Sequence, residues 1–175
     1  DSPTTAAHCV WLEDEDFDIL KRHGVTVACC PASNLKLASG YANVPKMLES
    51  GINVALGTDG AASNNNLNIM QDMYLFGVVY KGYFRDPTII TPAEVLHAAT
   101  RAGALSQGRD DSGLLAVGMR ADLCVLNTDT PQFTPMTSAA CNVVYAAQGA
   151  DIRMTMVDGE ILYRDGEFKT IDIEK

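Results

Sequence analysis

The sequence lacks an apolar run of the length that crosses a membrane, which is about 18–20 residues. Its first residues also lack the basic segment and the apolar core of a secretory signal. We therefore expect no membrane partner. The chain begins without Met and almost directly on a short apolar run at residues 6–10, as we expect of a piece of a longer protein.

Cysteine pairs with metal-site spacing are absent, although the 175 residues include five cysteines. No Cys-x-x-Cys pair occurs, which disfavours a cysteine zinc site. An odd number of cysteines, most of them within apolar runs, also disfavours a disulfide framework. Free thiols of this kind are typical of a reducing compartment, so we predict a cytoplasmic protein.

Basic residues are in the minority, since 13 Lys and Arg stand against 22 Asp and Glu, and the net charge is −9. A nucleic-acid backbone would be repelled by such a surface unless a local basic patch intervened. The densest basic spot is only the pair Lys21-Arg22. We therefore expect no nucleic-acid partner, and the acidic surplus serves solubility.

Up to about residue 108, short apolar runs alternate with helical stretches. The runs at 6–10, 25–30 and 52–58 predict three strands. The run at 52–58 is apolar nearly throughout, which is typical of a parallel strand covered on both faces. Three strand–helix units in series predict an α/β fold with right-handed crossovers, either a doubly wound sheet or part of a barrel.

Helix signals accompany these strands. Asn43 can cap a short helix, and Thr91, Pro92 and Glu94 form the start of another with a capping box. Helices are predicted at 13–23, 43–50 and 64–80 and from Pro92 onward, and a loop is predicted at 31–40.

The pattern changes after Gly108, where helical periodicity stops. Two Asp-Gly pairs, Asp158-Gly159 and Asp165-Gly166, separate strand-like runs and predict hairpins. Strands are predicted at 122–126, 143–147, 153–157 and 160–163. We therefore place a domain boundary near residue 109, with a strand–helix domain at 1–108 and a small all-β region at 109–175.

Polar residues stand where the predicted parallel strands end, which is where such folds collect functional groups. His8 lies near the end of the first strand, Ser33 and Asn34 follow the second, and Asp59 follows the third. From the residues alone, Asp59 is either a helix cap or a functional carboxylate. His8 is either a satisfied core residue or a functional one.

The other two histidines fit structural positions. His23 lies in the last turn of a charged helix, where the helix dipole favours a cation, and His97 lies on a helix far from any strand end. We assign neither of them to a site.

Four motifs in order resemble the amidohydrolase superfamily, over nearly the whole chain. They are Ala-His-Cys-Val at 7–10, Cys-Pro-Ala-Ser-Asn-Leu-Lys-Leu at 30–37, Gly-Thr-Asp-Gly-Ala-Ala-Ser-Asn-Asn at 57–65, and a tail with Gly-Leu-Leu-Ala-Val-Gly-Met-Arg-Ala-Asp-Leu at 113–123 and Met-Val-Asp-Gly-Glu at 156–160. The resemblance is greatest to the branch of methylthioadenosine/S-adenosylhomocysteine deaminases and triazine hydrolases.

The resemblance implies a fold and a set of roles. Residues 1–108 would be strands six to eight of a (β/α)8 TIM barrel, and 109–175 would be strands of a small β-sandwich. Asp59 would be a metal ligand, a proton acceptor and a contact for the substrate, and His8 would be a catalytic residue that orients hydroxide and substrate. Ser33 and Asn34 would bind substrate at the pocket edge. The cofactor implied is one divalent metal, zinc, with iron or nickel as alternatives.

The remaining family ligands have no counterpart here. The family places a His-x-His pair on its first barrel strand and a His, followed by a catalytic Glu, on its fifth. The sequence has no His-x-His, and His8 is its first histidine. One carboxylate does not hold a catalytic metal, which normally has about three protein ligands. We therefore expect the isolated chain to bind no metal tightly and to be inactive.

The resemblance thus predicts part of a metal-dependent aminohydrolase. Its small-molecule substrate would be purine-type, such as methylthioadenosine, S-adenosylhomocysteine or a related amino-heterocycle. The alternatives are a piece of a triazine-type chlorohydrolase or of a guanine deaminase, or a non-catalytic module that associates with itself. Unpaired sheet edges and an exposed apolar face would favour self-association, so we expect a homo-oligomer.

Overall fold

A computed structural model describes residues 3–173 and contains a parallel and an antiparallel β-sheet. The parallel sheet has the order β1-β2-β3, with β1 at Thr5–Ala7, β2 at Thr26–Cys29 and β3 at Val54–Leu56. The three strands and their parallel pairing confirm the sequence prediction. Each strand is shorter than predicted. The first ends early because His8 and Cys9 leave the extended conformation, with φ of 67° and 45°.

The helices lie between and after these strands. They are α1 at Asp14–Arg22, α2 at Pro31–Lys36, α3 at Val44–Glu49, α4 at Ala61–Asn64, α5 at Ile69–Phe84, α6 at Pro92–Ala99, α7 at Arg101–Ser106 and α8 at Ala139–Tyr145.

Two helix starts were predicted from their capping residues, and the structure confirms both. The Asn43 side chain accepts a hydrogen bond from the Lys46 amide at 3.2 Å, which caps α3. Thr91 and Glu94 form the capping box of α6. The helix predicted at 13–23 is α1, which begins one residue later and ends one residue earlier. These bonds satisfy backbone amides that the first helical turn leaves without partners.

Two predictions in this part of the chain were wrong. The segment predicted as a loop at 31–40 begins with α2, because Pro31 occupies the first helical position, where its missing amide hydrogen costs nothing. The helix predicted at 64–80 starts only at Ile69. Asn65 has a left-handed φ of 61°, so it ends the short α4 before α5 begins.

The antiparallel sheet has the order β4-β5-β6-β7. Its strands are β4 at Leu123–Leu126, β5 at Ile152–Val157, β6 at Glu160–Arg164 and β7 at Glu167–Phe168. Asp158-Gly159 and Asp165-Gly166 connect β5 to β6 and β6 to β7, with positive φ at all four residues. That is the backbone of type I′ hairpin turns, so both predicted hairpins are confirmed.

The strand predicted at 143–147 is wrong, because residues 143–145 form the last turn of α8 and Ala146 is its C-cap. Ser138 starts the helix by accepting a hydrogen bond from the Cys141 amide at 3.4 Å. The helix packs against α5 and α6, and Val144 is 1% exposed. A short apolar run looks the same in a buried helix and in a strand. The region after residue 109 is therefore not all-β, while the boundary itself stays a prediction.

The core lies between the parallel sheet and the helices that follow it. α3, α5, α6 and α7 all pack on β3, whose three residues are buried. The largest fully buried apolar side chains are Phe76, Phe133, Met47, Val27, Val44, Val95 and Val144. This close-packed base holds the strand ends in fixed relative positions. Among residues 3–173, no helix combines the length and the apolar character needed to cross a bilayer.

Two cysteines near the strand ends should be chemically inert. Burial raises the pKa of the Cys29 thiol to about 12 and that of Cys30 to about 11, whereas Cys124 is exposed on β4. Since the thiolate is the nucleophile, we expect native protein to be alkylated at Cys124 at least about 100-fold faster than at Cys29 or Cys30. Peptide mapping by mass spectrometry after iodoacetamide at pH 8 measures this. Equal labelling of Cys29 and Cys124 before denaturation would contradict the burial.

Candidate active site

All four predicted site residues meet at the carboxyl ends of the parallel strands. His8 follows β1 directly, and Asp59 lies three residues after β3. Ser33 and Asn34 lie in α2, which begins two residues after β2 ends. Parallel neighbours end at the same edge of a sheet, so their trailing residues are brought together.

The backbone at two of these residues is left-handed. His8 has φ of 67° and Asp59 has φ of 59°. This conformation costs a non-glycine residue about 1–2 kcal/mol, so the surroundings must hold it in place. The His8 amide does so by donating to the Ala28 carbonyl at 2.9 Å. The Gly60 amide donates to Asp59 Oδ1 at 2.8 Å.

Asp59 carries the most strongly stabilised charge of the site. Its Oδ2 accepts hydrogen bonds from Ser33 Oγ at 2.7 Å and from Ser63 Oγ at 2.8 Å. These bonds, followed by that of the Gly60 amide, lower the pKa of Asp59 to about 2. The carboxylate is therefore anionic at neutral pH. This favours a ligand role, and transfer of a proton to Asp59 requires the serine bonds to weaken.

The alternative prediction, that Asp59 caps a helix, is not supported by its position. The N-cap of α4 is Gly60, which makes no side-chain capping bond. Ser63 lies within the motif at 57–65 but was not predicted as a site residue. The signal that could have found it is its place four residues after Asp59, which puts its hydroxyl over the carboxylate.

His8 is oriented by Asn34. The distance from His8 Nδ1 to Asn34 Oδ1 is 2.8 Å, and because the amide oxygen accepts, Nδ1 donates. In the neutral ring the lone pair is then on Nε2, which lies 3.9 Å from Asp59 Oδ2. That distance is too long for a hydrogen bond. The His8 and Asp59 side chains are 40% and 31% exposed, so this gap is open to solvent.

Ser33 and Asn34 lie deeper than a pocket edge. They are 1% and 4% exposed, and their side chains bond Asp59 and His8. Each of them therefore supports one of the two partly exposed side chains of the site by a direct hydrogen bond. Their role in binding substrate stays a prediction.

The two histidines that were set aside lie elsewhere. His23 is the C-cap of α1 and His97 lies in α6, and both are exposed. Neither is placed at the carboxyl ends of the strands.

Part of a metal site fits these residues, but a whole one does not. Asp59 and His8 present a carboxylate and an imidazole nitrogen, which are donor types that zinc binds. Within residues 3–173 no group of three or more His, Cys, Asp or Glu side chains could hold a metal ion. A catalytic zinc normally takes about three protein ligands, so these two side chains alone do not complete a site.

The sequence of the chain and its structure are similar to the same kind of known protein. The profile of the amidohydrolase family matches residues 1–162. A 5-methylthioadenosine/S-adenosylhomocysteine deaminase of Acetivibrio thermocellus is 47% identical over 100% of this chain and 41% of its own length. A 5'-deoxyadenosine deaminase of Methanothermobacter thermautotrophicus is 46% identical over 97% of this chain and 39% of its own.

Solved structures give the same result. An adenosine deaminase from Xanthomonas campestris with bound zinc has a TM-score of 0.93 and 30% identity, covering 97% of this chain and 39% of that one. An atrazine chlorohydrolase from Arthrobacter aurescens complexed with zinc has a TM-score of 0.89 and 27% identity, covering 97% and 38%. The chain thus spans about two fifths of the length of the relatives it matches.

Proposed function

Because this chain belongs to the amidohydrolase family, we propose that it is part of a metal-dependent hydrolytic deaminase of purine-type substrates such as methylthioadenosine or S-adenosylhomocysteine. The observation that carries the proposal is the Asp59 carboxylate, held anionic by three hydrogen bonds and facing the oriented imidazole of His8. The relatives named for deaminases support the reaction and the substrate class.

The proposal includes a place for each sheet in the larger enzyme. We assign β1 to β3 to strands six to eight of a (β/α)8 barrel, within residues 1–108, and the antiparallel sheet to a β-sandwich within 109–175. Among the described residues, β1 and β3 each pair on one side only, so each offers an edge to a further barrel strand. The high TM-scores over about two fifths of the neighbours support this assignment.

Asp59 is the residue that would hold the metal, with zinc as the first choice and iron or nickel as alternatives. Its Oδ2 accepts from the two serine hydroxyls, whereas among residues 3–173 Oδ1 accepts only from the Gly60 amide and keeps a lone pair. When bound, the metal supplies a water acidic enough to give hydroxide at neutral pH. The other ligands would come from parts of the enzyme outside this chain.

His8 and Asp59 carry the proton transfers on this side of the pocket. In hydrolytic deamination, water adds to the ring carbon that bears the amino group, and ammonia leaves with a proton that came from that water. His8 Nε2 and the Asp59 carboxylate are acceptors that face the open gap. Because Nδ1 is engaged with Asn34, the imidazole presents Nε2 to the substrate without rotating.

A triazine chlorohydrolase is the second candidate. The structural similarity to atrazine chlorohydrolase favours it, with a TM-score of 0.89. The adenosine deaminase has a higher TM-score of 0.93. The deaminases of A. thermocellus and M. thermautotrophicus share 47% and 46% of their aligned residues with this chain, compared with 27% for the chlorohydrolase. Deamination is therefore the primary proposal.

Ammonia release tests the function. We expect the full-length, zinc-loaded enzyme that contains this chain to deaminate methylthioadenosine or S-adenosylhomocysteine. Residues 1–175 alone should release none above background, because they supply too few metal ligands. The matched measurement is chloride release from a chlorotriazine. Chloride without ammonia would establish the second candidate, and turnover by residues 1–175 alone would refute the assignment of the missing ligands.

Location and assembly follow as lesser proposals. The five cysteines of the chain are free, which supports the cytoplasm as its compartment. Large apolar side chains such as Trp11, Leu37 and Tyr83 are more than half exposed, which supports burial against other parts of a homo-oligomeric enzyme.

A further inference from the structure

Asp72 on α5 is a buried carboxylate outside the site described above. It is 1% exposed, and both of its oxygens accept hydrogen bonds. The Ala32 amide donates to Oδ1 at 3.0 Å, and Asn64 Nδ2 donates to Oδ2 at 3.1 Å. Burying a carboxylate is costly unless its hydrogen bonds are made, so Asp72 depends on these two donors and they are held close to it.

The first contact fixes the start of α2. The N-cap of this helix is Cys30, which makes no side-chain capping bond. Asp72, which lies on α5, provides this cap instead. Its carboxylate accepts a hydrogen bond from the amide of Ala32, the second residue of α2. Ser33 and Asn34 come directly after this residue, so Asp72 anchors the turn that carries them.

The second contact fixes the segment that carries Asp59. Asn64 donates through the same Nδ2 to the Thr58 carbonyl at 2.7 Å and to Asp72. Thr58 directly precedes Asp59, whose backbone is left-handed. Asp72 therefore reaches, directly or through one amide, the segments that follow both β2 and β3.

We propose that Asp72 is the positioning residue of the candidate active site, holding the segment with Ser33 and Asn34 and the segment with Asp59 in register with each other. A carboxylate is required because both partners donate, through the Ala32 amide and Asn64 Nδ2. An amide at position 72 would turn its own NH2 group toward one of these donors. Rotating Asn64 to compensate would remove its bond to the Thr58 carbonyl.

The test uses Asp72→Asn in the full-length enzyme, with Asp151→Asn as the matched control. Asp151 is also buried, at 6% exposure, and it also accepts one amide bond from the backbone and one from a side chain. Its donors are the Gln148 amide and Gln132 Nε2, both at 2.8 Å. The two variants lose the same kind of contact, and only one of them adjoins the site.

Hydrogen–deuterium exchange reads the positioning without any assay of activity. We expect Asp72→Asn to speed exchange at least about tenfold in residues 30–37 and 57–66, and Asp151→Asn to leave both segments unchanged. Asn64→Ala, a milder change, should speed exchange in 57–66 only. Unchanged exchange in both segments for Asp72→Asn would overturn the proposal, and if that variant fails to fold, unchanged exchange for Asn64→Ala would do so.

The kinetic arm rests on the proposed function. Displacing the site by a fraction of an ångström should lower kcat about 10- to 100-fold in Asp72→Asn, with metal content and KM within about threefold of wild type. A merely stabilising residue would lower the melting temperature and leave kcat at 25 °C unchanged, as we expect of Asp151→Asn. If wild type does not deaminate, the proposed function fails and exchange alone decides on Asp72. If wild type is active and kcat is equal in the two variants, the positioning role fails.

Discussion

Replacing Asp59 by Asn in the full-length enzyme is expected to lower kcat for deamination by at least about 10³-fold, because both the ligand charge and the proton acceptor are lost. The fold should survive the change. Asn Oδ1 can keep the bond from the Gly60 amide, and its NH2 group can donate to the hydroxyls of Ser33 and Ser63, which also accept. Metal content, measured by elemental analysis, should fall with kcat.

Asp158→Asn is the matched control for this change. Asp158 is also an Asp with left-handed backbone, at φ of 53°, but it lies in the hairpin turn between β5 and β6. Its substitution should leave kcat and metal content within about twofold, as is usual for an exposed position. Full turnover in Asp59→Asn, or an equal loss in Asp158→Asn, would contradict the role of Asp59.

Replacing His8 by Asn is expected to lower kcat by about 10²- to 10³-fold while most of the metal stays bound. Asn tolerates the left-handed backbone at this position, where φ is 67°, so the strand end should keep its shape. What disappears is the Nε2 lone pair that faces Asp59 across 3.9 Å. Loss of kcat without loss of metal separates an orienting residue from a ligand.

His23→Asn provides the comparison for His8, since His23 is exposed at the end of α1 and away from the strand ends. We expect wild-type kcat and metal content from it. If His8→Asn strips the metal while Asp59→Asn retains it, the two roles are the reverse of those proposed.

The positions of His8 and Asp59 could be predicted because they depend on a general property of parallel sheets. Once three apolar runs are taken as parallel strands, their trailing residues must meet at one edge. The supporting contacts could not be predicted in the same way. Asp72 contacts Ala32, which is 40 residues away in the sequence, and nothing in the apolar pattern of α5 indicates that partner.

Two of the errors in secondary structure, at 31–40 and 143–147, have a common physical cause. Segments at 31–36 and 143–145 are short, so their intrinsic preference is weak and the environment decides. Asp72 supplies the missing cap of α2, and the faces of α5 and α6 provide the burial that stabilises α8. Both stabilising partners lie far away in the sequence. The longer α6 carries its own capping box, so its start could be predicted from the sequence.

The left-handed backbone at His8 and Asp59 matters for protein engineering. Glycine would adopt this conformation without the cost of about 1–2 kcal/mol that a side chain incurs, so a design that considers backbone strain alone would place glycine at both positions. Such variants would lose the imidazole and the carboxylate, together with their bonds to Asn34, Ser33 and Ser63. A stabilised library of this enzyme should keep positions 8 and 59 fixed and seek its gains on the exposed faces of α1 and β6, away from the strand ends.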